Sequence, residues 1–323
     1  MKILLVEAKE TPFHQFQEEH IEKIRSVVPN IEVVKVSASD LLEIERQLED
    51  ADVLAGTLWV IPPITDVRNL KWIHSFSAGA ERVLTPEVKA SDVIVGNCSG
   101  IHAVPIAEHI LGFMLIFTRR FYQTFQNQQN KIWEKQGSIT ELREKVVLIV
   151  GLGHIGREAA RLANCLGANV LAVDTSKKEK PEFVTSLYSS EQLDEVLPKA
   201  DFVVLCLPYT QGTYHLFGMA KFRAMKDTAV LVNISRGGIV HEEQLIEALR
   251  QKVIGGAALD VTETEPLPKE SPLWKMDNVV ITPHHSGWSE KYMDRAVDLF
   301  CVNLKAYLRG ERLPNLVDKE RGY

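Results

Sequence analysis

The chain has 323 residues, of which 45% are hydrophobic and 25% charged, and 37 Lys and Arg against 43 Asp and Glu give a formal net charge of −6. This composition is typical of a globular protein and excludes a disordered or collagen-like chain. The negative net charge gives no general attraction to phosphate backbones or anionic lipid, so we expect neither nucleic acid nor a membrane as a partner.

The cysteines and the apolar runs indicate the cellular compartment of the protein. Cys98, Cys165, Cys206 and Cys301 lie far apart, without the spacing of zinc ligands, so we expect reduced, mostly buried thiols and no metal site. The N-terminal apolar run is too short for a signal peptide. The longest apolar stretch, Ile110 to Phe117, falls well short of the roughly 20 residues of a membrane span. These features predict a cytoplasmic protein.

Short β-rich runs alternate with helical patterns through the first hundred residues. The predicted elements are strands at 3–6, 31–36 and 52–55, helices near 14–28 and 41–48, and the WIHSFSAG segment with its turn at Gly79. Such alternation predicts a parallel sheet covered by helices. The apolar periodicity of residues 102–128 then predicts a single long helix.

A second series of strands follows that helix. Its members are KVVLIV, NVLAVD, DFVVLCLP, TAVLVNIS, IGGAALDV and NVVITP. Near-continuous apolar runs are typical of strands buried on both faces of a doubly wound sheet. A last helix is expected from about Ser289 to Arg309, with Gly310 as its stop. At roughly 100 to 200 residues per domain, the length predicts two domains, and the alternating strands and helices predict that both are of the α/β class.

The segment GLGHIG places three glycines directly after a strand and at the start of a helix. Gly151 makes the tight turn, Gly153 allows a pyrophosphate to approach the backbone, and Gly156 lets the helix pack on the strand. Asp174 ends the next strand at the spacing of a ribose-binding acidic residue. The segment therefore predicts a dinucleotide site, although a turn without ligand and a capping role for Asp174 remain the structural alternatives.

Asp174 also bears on the choice of dinucleotide. Its carboxylate repels a 2′-phosphate, which favours NAD over NADP. Lys177 and Lys178 follow a few residues later and offer a cationic site for that phosphate, so NADP stays an alternative.

Several segments together resemble a known family. They are SFSAG, AVPIAEH, GLGHIG, LCLPYT, NISRGG, ALDVTETEPLP and TPHHSG, in that order. The chain resembles the D-2-hydroxyacid dehydrogenases, and among them the glyoxylate and hydroxypyruvate reductases. The resemblance implies two Rossmann- or flavodoxin-like doubly wound domains, with the active site in the cleft between them. It places a substrate domain at residues 1–99 and 288–323 and an inserted NAD-binding domain at 100–287.

The resemblance also marks three catalytic residues, and their chemistry agrees with it. Arg236 would hold the carboxylate of a 2-keto acid and polarise its carbonyl. His284 would donate the proton that the reduced oxygen needs. Glu265 would orient that imidazole and keep it protonated. Each residue also has a structural alternative. Arg236 is alternatively a surface charge, His284 a structural histidine and Glu265 part of a solvated loop.

Further binding residues come from the resemblance. The cofactor set adds residues within the glycine turn and at later strand ends: His154, Ile155, Leu207, Pro208, Ser235 and Asp260. The substrate set consists of Trp59, Ser77, Ala78 and Gly79 together with Arg236 and His284. The Trp59 loop, which runs to Pro62, is alternatively a hydrophobic strand end. We assign no role beyond packing or solvation to other histidines such as His14 and His109.

The predicted activity is NAD(H)-dependent interconversion of a 2-keto acid and a D-2-hydroxy acid, and the resemblance implies a homodimer. Arg119 to Gly137, with Trp133, is the expected contact arm. Glu265 and Ala78 argue against formate- and phosphite-oxidising relatives, which carry Gln and Lys there. Thr262 departs from the aromatic residue of many relatives, which we expect to loosen the packing near Asp260. The alternative function is a nicotinamide-sensing binding protein with little turnover, as in related corepressors.

Overall fold

The computed structural model describes residues 1–8, 13–28, 30–61, 63–175 and 179–322. They belong to two compact units: unit 1 comprises Met1–His102 and Trp288–Tyr323, and unit 2 comprises Ala103–Gly287. Unit 2 is therefore an insertion in the sequence of unit 1.

Unit 1 is built on a five-stranded parallel sheet with the order β2-β1-β3-β4-β5. Its strands are β1 (Lys2–Glu7), β2 (Glu32–Ser37), β3 (Val53–Gly56), β4 (Trp72–Ser75) and β5 (Ile94–Asn97). Its helices are α1 (Glu18–Arg25), α2 (Leu41–Leu48), α3 (Pro86–Ala90) and α10 (Tyr292–Leu308). This strand order is the flavodoxin-like one, which the resemblance predicted.

Both faces of the unit 1 sheet are covered. Ile3 and Leu5 of β1 contribute to one buried cluster, and Leu4 and Val6 contribute to another. Because successive side chains of a strand point to opposite faces, these clusters lie on the two sides of the sheet. A strand buried on both faces needs a continuous apolar run, and the sequence supplies one.

Helix α10 completes unit 1 although it lies about 200 residues after β5 in the sequence. The Phe300 ring stacks on Trp72 of β4 with the centroids 5.1 Å apart. The Tyr292 hydroxyl donates a hydrogen bond to the Phe76 carbonyl just after β4. The contacts of α10 are thus with the first part of the chain, which is why it belongs to unit 1.

Unit 2 is built on a seven-stranded parallel sheet with the order β12-β11-β10-β9-β6-β7-β8. Its strands are β6 (Val146–Val150), β7 (Asn169–Val173), β8 (Ser186–Tyr188), β9 (Phe202–Leu205), β10 (Val230–Asn233), β11 (Gly256–Leu259) and β12 (Val279–Ile281). Its helices are α4 (Ala103–Thr118), α5 (Phe121–Gln129), α6 (His154–Cys165), α7 (Leu193–Val196), α8 (Met219–Ala224) and α9 (Glu242–Arg250).

The order of the unit 2 strands fixes where a ligand binds. β6 pairs with β7 on one side and with β9 on the other, which is the Rossmann order. The chain reverses its direction of progress between β6 and β9. In such sheets ligands bind outside the carboxyl ends of the strands at this switch point. The glycine turn follows β6 at that point.

The prediction of one helix over residues 102–128 is wrong. Helix α4 ends at Thr118 and α5 begins at Phe121. Arg120 between them has a φ of 53°, in the left-handed region, and this breaks the helical backbone. The apolar pattern continues across the break, so periodicity alone does not reveal it.

Other predictions differ from the structure in detail. The predicted 14–28 helix is confined to Glu18–Arg25, where the N-terminal turn is closed by hydrogen bonds between Gln17 and His20. Strands β5 and β8 were not predicted. Cys98 and Cys301 are buried, whereas Cys206 is half-buried and Cys165 is exposed, so fewer thiols are buried than expected. Within the described residues, no helix has the length and apolar character needed to cross a bilayer.

Candidate active site

The glycine turn of unit 2 is shaped by contacts that only glycine permits. Gly151 has a φ of 100°, and a Cβ on it would lie 2.5 Å from the Cys206 carbonyl oxygen after β9. A Cβ on Gly156 would lie 2.0 Å from the Gly151 carbonyl oxygen. These two glycines therefore bring α6 and β9 close to the end of β6.

Gly153 differs from the other two glycines because a Cβ added to it would meet no atom within 4 Å. It precedes the first residue of α6, His154, at the positive end of the helix dipole. Open space beside backbone amides at a helix N-terminus is what a pyrophosphate requires. The turn, with His154 and Ile155 in the first helical residues, therefore fits a dinucleotide.

Asp174 lies against the glycine turn. It follows β7, and its Oδ2 accepts a hydrogen bond of 2.7 Å from the Leu152 amide. The carboxylate is thus placed beside the turn, where a ribose-binding acidic group is expected. Lys177 and Lys178 lie outside the described residues, as does Pro62 of the Trp59 loop.

The loops after β9 and β10 are joined by the Ser235 hydroxyl. It donates to the Leu205 carbonyl at 2.6 Å and accepts from the Leu207 amide at 3.0 Å. Leu207 and Pro208 therefore have their backbone fixed at the strand end beside the switch point. The structure thus brings these three predicted cofactor-binding residues to one edge of the sheet.

Asp260 follows β11 and is 2% exposed. Its Oδ1 accepts hydrogen bonds from the Thr282 hydroxyl at 2.6 Å and the His285 amide at 3.1 Å, and its Oδ2 accepts one from the Ser286 amide at 3.1 Å. Burial raises the pKa of Asp260, but the hydrogen bonds lower it by more, so it lies below its usual value. Asp260 thereby holds the turn after β12; its predicted contact with the nicotinamide stays a prediction.

His109 of α4 completes this network, and sequence reasoning missed it. Its Nε2 lies 3.0 Å from the Thr282 hydroxyl oxygen. Because that hydroxyl gives its only proton to Asp260, Nε2 of His109 is the donor. Burial lowers the pKa of His109. A histidine in an apolar helix gives no sign of its partner, which is 173 residues away.

His284 and Glu265 meet as predicted from their chemistry. Nδ1 of His284 lies 2.7 Å from Oε2 of Glu265, and the two side chains are 49% and 38% exposed. Partial burial raises the pKa of Glu265, but the hydrogen bond from His284, the hydrogen bond from the Thr262 amide and the charge of Arg236 together lower it below its usual value. Glu265 is therefore a carboxylate at neutral pH.

Backbone contacts fix both members of this pair. His284 has a φ of 52°, and its amide donates to the Asp260 carbonyl at 2.8 Å. The Thr262 amide donates to Oε1 of Glu265 at 3.1 Å. Thr262 is buried and packs closely on Gly237, where a Cβ would lie 1.9 Å from its carbonyl oxygen. The effect of the Thr262 side chain on the packing near Asp260 stays a prediction.

Arg236 follows β10 and is half-buried. Its guanidinium donates to the Ser235 carbonyl at 2.9 Å, and the Asn233 side-chain amide donates to the Arg236 carbonyl at 3.1 Å. Its charge also acts on Glu265. The structure therefore groups Arg236, Glu265 and His284 at one edge of the unit 2 sheet.

The predicted substrate residues of unit 1 follow its own strand ends. Ser77, Ala78 and Gly79 come after β4, and their loop is fixed by the Asn97 side-chain amide, which donates to the Ala78 carbonyl at 2.8 Å. The Gly79 amide donates to the Ser77 hydroxyl at 3.2 Å. Trp59 lies in a 3₁₀ turn, Leu58–Val60, after β3.

Known proteins resemble this chain in sequence and fold. Residues 111–286 match the NAD binding domain of the D-isomer specific 2-hydroxyacid dehydrogenases. A glyoxylate reductase of Thermofilum pendens is 35% identical over 286 residues, which cover 86% of this chain and 84% of that protein.

Two solved structures resemble the whole chain. A D-isomer specific 2-hydroxyacid dehydrogenase family protein of Aeromonas salmonicida is 27% identical with a TM-score of 0.84, over 98% of this chain and 99% of that one. An NADPH-dependent glyoxylate/hydroxypyruvate reductase of Sinorhizobium meliloti, solved with NADP and sulfate, is 28% identical with a TM-score of 0.81, over 100% of both chains.

The chain belongs to the D-isomer-specific 2-hydroxyacid dehydrogenase family. It is an NAD(P)-dependent 2-hydroxyacid dehydrogenase, and unit 2 contains its NAD-binding domain. The sensor alternative is not favoured, because the relatives are reductases and dehydrogenases. The two-domain doubly wound fold predicted from the resemblance is confirmed.

The buried carboxylate of the dehydrogenase gives a prediction about stability. In Asp260→Asn, an amide NH₂ replaces one acceptor oxygen and leaves a buried donor without its partner, so we expect the free energy of unfolding at neutral pH to fall by about 1–3 kcal/mol. Urea unfolding measures this, with the exposed Asp227→Asn as control.

The pH dependence of that difference follows from the pKa of Asp260. Because its pKa in the folded protein is below the usual value, the stabilisation is complete above the unfolded pKa and disappears as the pH falls through the folded pKa. The free energies of unfolding of wild type and Asp260→Asn should therefore converge as the pH falls through the folded pKa of Asp260. Equal stability of Asp260→Asn and wild type at pH 7 would contradict this account.

Proposed function

We propose that this dehydrogenase reduces a 2-keto acid to the D-2-hydroxy acid, with His284 as proton donor. The observation that carries the proposal is the 2.7 Å contact between Nδ1 of His284 and the Glu265 carboxylate. With Nδ1 bound to Glu265, Nε2 is the ring nitrogen left to face a substrate. The ionised carboxylate favours the protonated imidazole that reduction needs.

The reaction balances with these residues. Bound reduced nicotinamide supplies a hydride to the keto carbon. The electron pair of the C=O double bond moves to the oxygen, which takes the proton from Nε2 of His284. In the reverse direction the neutral imidazole accepts that proton.

Arg236 is the proposed anchor of the substrate carboxylate and carbonyl. Its guanidinium is planar and permanently charged, so it binds a carboxylate in a fixed orientation. We propose that the loop of Ser77, Ala78 and Gly79 in unit 1 binds a substrate carboxylate through its backbone amides. Unit 1 is then the substrate-binding domain. Its parallel sheet supports this role, because ligands of such sheets bind outside the carboxyl ends of the strands.

We also propose that NADH is preferred to NADPH. The support is Asp174, whose carboxylate accepts from the Leu152 amide in the glycine turn and adds negative charge beside the ribose position. The similar reductase of Sinorhizobium meliloti is NADPH-dependent, which is the opposite of the preference proposed for this chain.

A homodimer in the cytoplasm is the proposed state of the enzyme. Exposed apolar side chains cluster in the predicted contact arm: Phe121, Phe125, Ile132 and Trp133, with Trp133 fully exposed at 101%. Apolar surface of this kind favours burial against a second copy. The four free cysteines suit a reducing compartment.

The role of Arg236 is tested by Arg236→Gln. Glutamine removes the charge that positions the keto acid, so we expect kcat/KM for glyoxylate to fall about a hundredfold or more. The affinity for NADH, measured by fluorescence titration, should stay within about twofold because the glycine turn is unchanged. Arg223→Gln on α8 is the exposed control. Wild-type turnover in Arg236→Gln would refute the assignment.

The role of Glu265 is tested by the pH profile of Glu265→Gln. Gln keeps an oxygen acceptor for Nδ1 of His284 but removes the negative charge, so the protonated imidazole loses its support. We expect reduction to decline at a lower pH on the alkaline side of the profile than in wild type. The matched control is Glu263→Gln, because Glu263 contacts His215 and not His284. A profile that does not move would leave Glu265 without the proposed role.

The cofactor preference is tested by Asp174→Ser. Removing the carboxylate relieves the repulsion of a 2′-phosphate, so the ratio of kcat/KM with NADPH to that with NADH should rise about tenfold or more. Asp277→Ser, at an exposed position in a loop before β12, is the control. A wild type that prefers NADPH would disprove the proposed preference and direct attention to Lys177 and Lys178.

A further inference from the structure

A group of aromatic side chains in unit 1 lies outside the catalytic residues. The His14 ring is surrounded by Trp59, Trp288 and Tyr292, with centroid distances of 5.8, 6.0 and 4.4 Å and edge-to-face geometry in each pair. We call these four residues the aromatic wall. They come from three separate parts of the chain, which the fold of unit 1 brings together.

The aromatic wall lies at the ligand-binding edge of unit 1. His14 follows β1, and Trp59 follows β3, so both lie beyond carboxyl ends of parallel strands. Tyr292 connects the wall to the carboxyl end of β4, because its hydroxyl donates a hydrogen bond to the carbonyl of Phe76, the residue after β4. Phe76 directly precedes Ser77, the first residue of the proposed carboxylate-binding loop. A substrate held by that loop therefore has the wall as a neighbour within the same unit.

Burial divides the aromatic wall into two buried and two partly exposed members. His14 and Tyr292 are 3% and 4% exposed, whereas Trp59 and Trp288 are 36% and 43% exposed. Nδ1 of His14 is buried and finds no hydrogen-bond partner among the described residues, so aromatic contacts hold this ring. The two indoles are thus held by a buried support. Trp288 also contacts Phe13 edge-to-face at 6.3 Å, and both indoles keep exposed surface on which another ring can pack.

The wall carries no charge at neutral pH. Burial lowers the pKa of His14 to about 4, so its imidazole is neutral. Burial also raises the pKa of Tyr292, so its phenol stays protonated. A carboxylate or phosphate placed against these side chains would lose hydration without gaining a counter-charge, whereas an aromatic ring would gain buried area.

We propose that the aromatic wall binds the substituent on C3 of the keto acid and selects arylpyruvates. This inference rests on the proposed function, since it concerns the same substrate site. Trp59 and Trp288 contact the aryl ring directly. His14 and Tyr292 are positioning residues that hold the two indoles. Glyoxylate has no substituent to place there, and 2-ketoglutarate would place a carboxylate there.

The test compares phenylpyruvate, glyoxylate and 2-ketoglutarate as substrates with NADH. In wild type we expect kcat/KM for phenylpyruvate to exceed that for 2-ketoglutarate about tenfold or more. Trp288→Ala should lower the ratio of phenylpyruvate to glyoxylate about tenfold, because one ring contact is lost. Trp288→Phe should restore most of that ratio because it keeps an aromatic ring. Leu42→Ala, an 80% exposed residue on α2, should leave the ratio as in wild type.

A binding measurement separates this inference from the proposed function. Calorimetric titration of D-phenyllactate into the NAD-loaded protein needs no turnover, and Trp288→Ala should weaken its binding about tenfold relative to wild type and Trp288→Phe. Selective loss of phenyllactate affinity in a protein that reduces no keto acid would refute the proposed function and support the wall. A phenylpyruvate-to-glyoxylate ratio that Trp288→Ala leaves unchanged would refute the wall.

Discussion

The buried carboxylate of Asp260 is the interaction on which the carboxyl edge of the unit 2 sheet depends; because this edge holds the proposed catalytic residues, we call it the catalytic edge. It accepts three hydrogen bonds from the turn that carries His284, two of them from backbone amides. Burying a carboxylate with fewer hydrogen-bond donors would cost folding free energy. The donors of the turn therefore stabilise the buried carboxylate, and the carboxylate in turn fixes the turn. His284 has a left-handed backbone inside this turn, and that conformation persists because its surroundings fix it. The position of His284, the proposed proton donor, therefore depends on a residue that is itself 2% exposed.

The parallel sheet of unit 2 supplies the rest of the catalytic edge. All neighbouring strands run in one direction, so the loops after β6, β7, β9, β10, β11 and β12 emerge at the same side. The glycine turn, Ser235, Arg236 and the Asp260 network thus gather there although long stretches of chain separate them. Unit 1 repeats the principle with its own strand ends, where the aromatic wall adjoins the loop that begins at Ser77.

The sequence predicted those features that depend on local pattern. The glycine spacing predicted the turn after β6, and continuous apolar runs predicted strands buried on both faces. The hydrophobic pattern gave a wrong prediction where the backbone conformation of a single residue ends a helix. Arg120 divides a continuous apolar stretch into α4 and α5, and no periodicity distinguishes a residue with positive φ. The short strand β8 also escaped, because three half-buried residues carry little hydrophobic signal.

The sequence by itself determined the family, the two α/β domains, the dinucleotide turn and the residue types at the catalytic edge. Each of these is encoded in short motifs whose spacing reflects local backbone geometry. Only the tertiary structure decided that His109 supports Asp260 through Thr282 and that Tyr292 joins the aromatic wall to the loop after β4. The partners in these contacts are 173 and 216 residues apart along the chain. A contact over such separations depends on how whole strands and helices pack, which neither residue type nor periodicity reports.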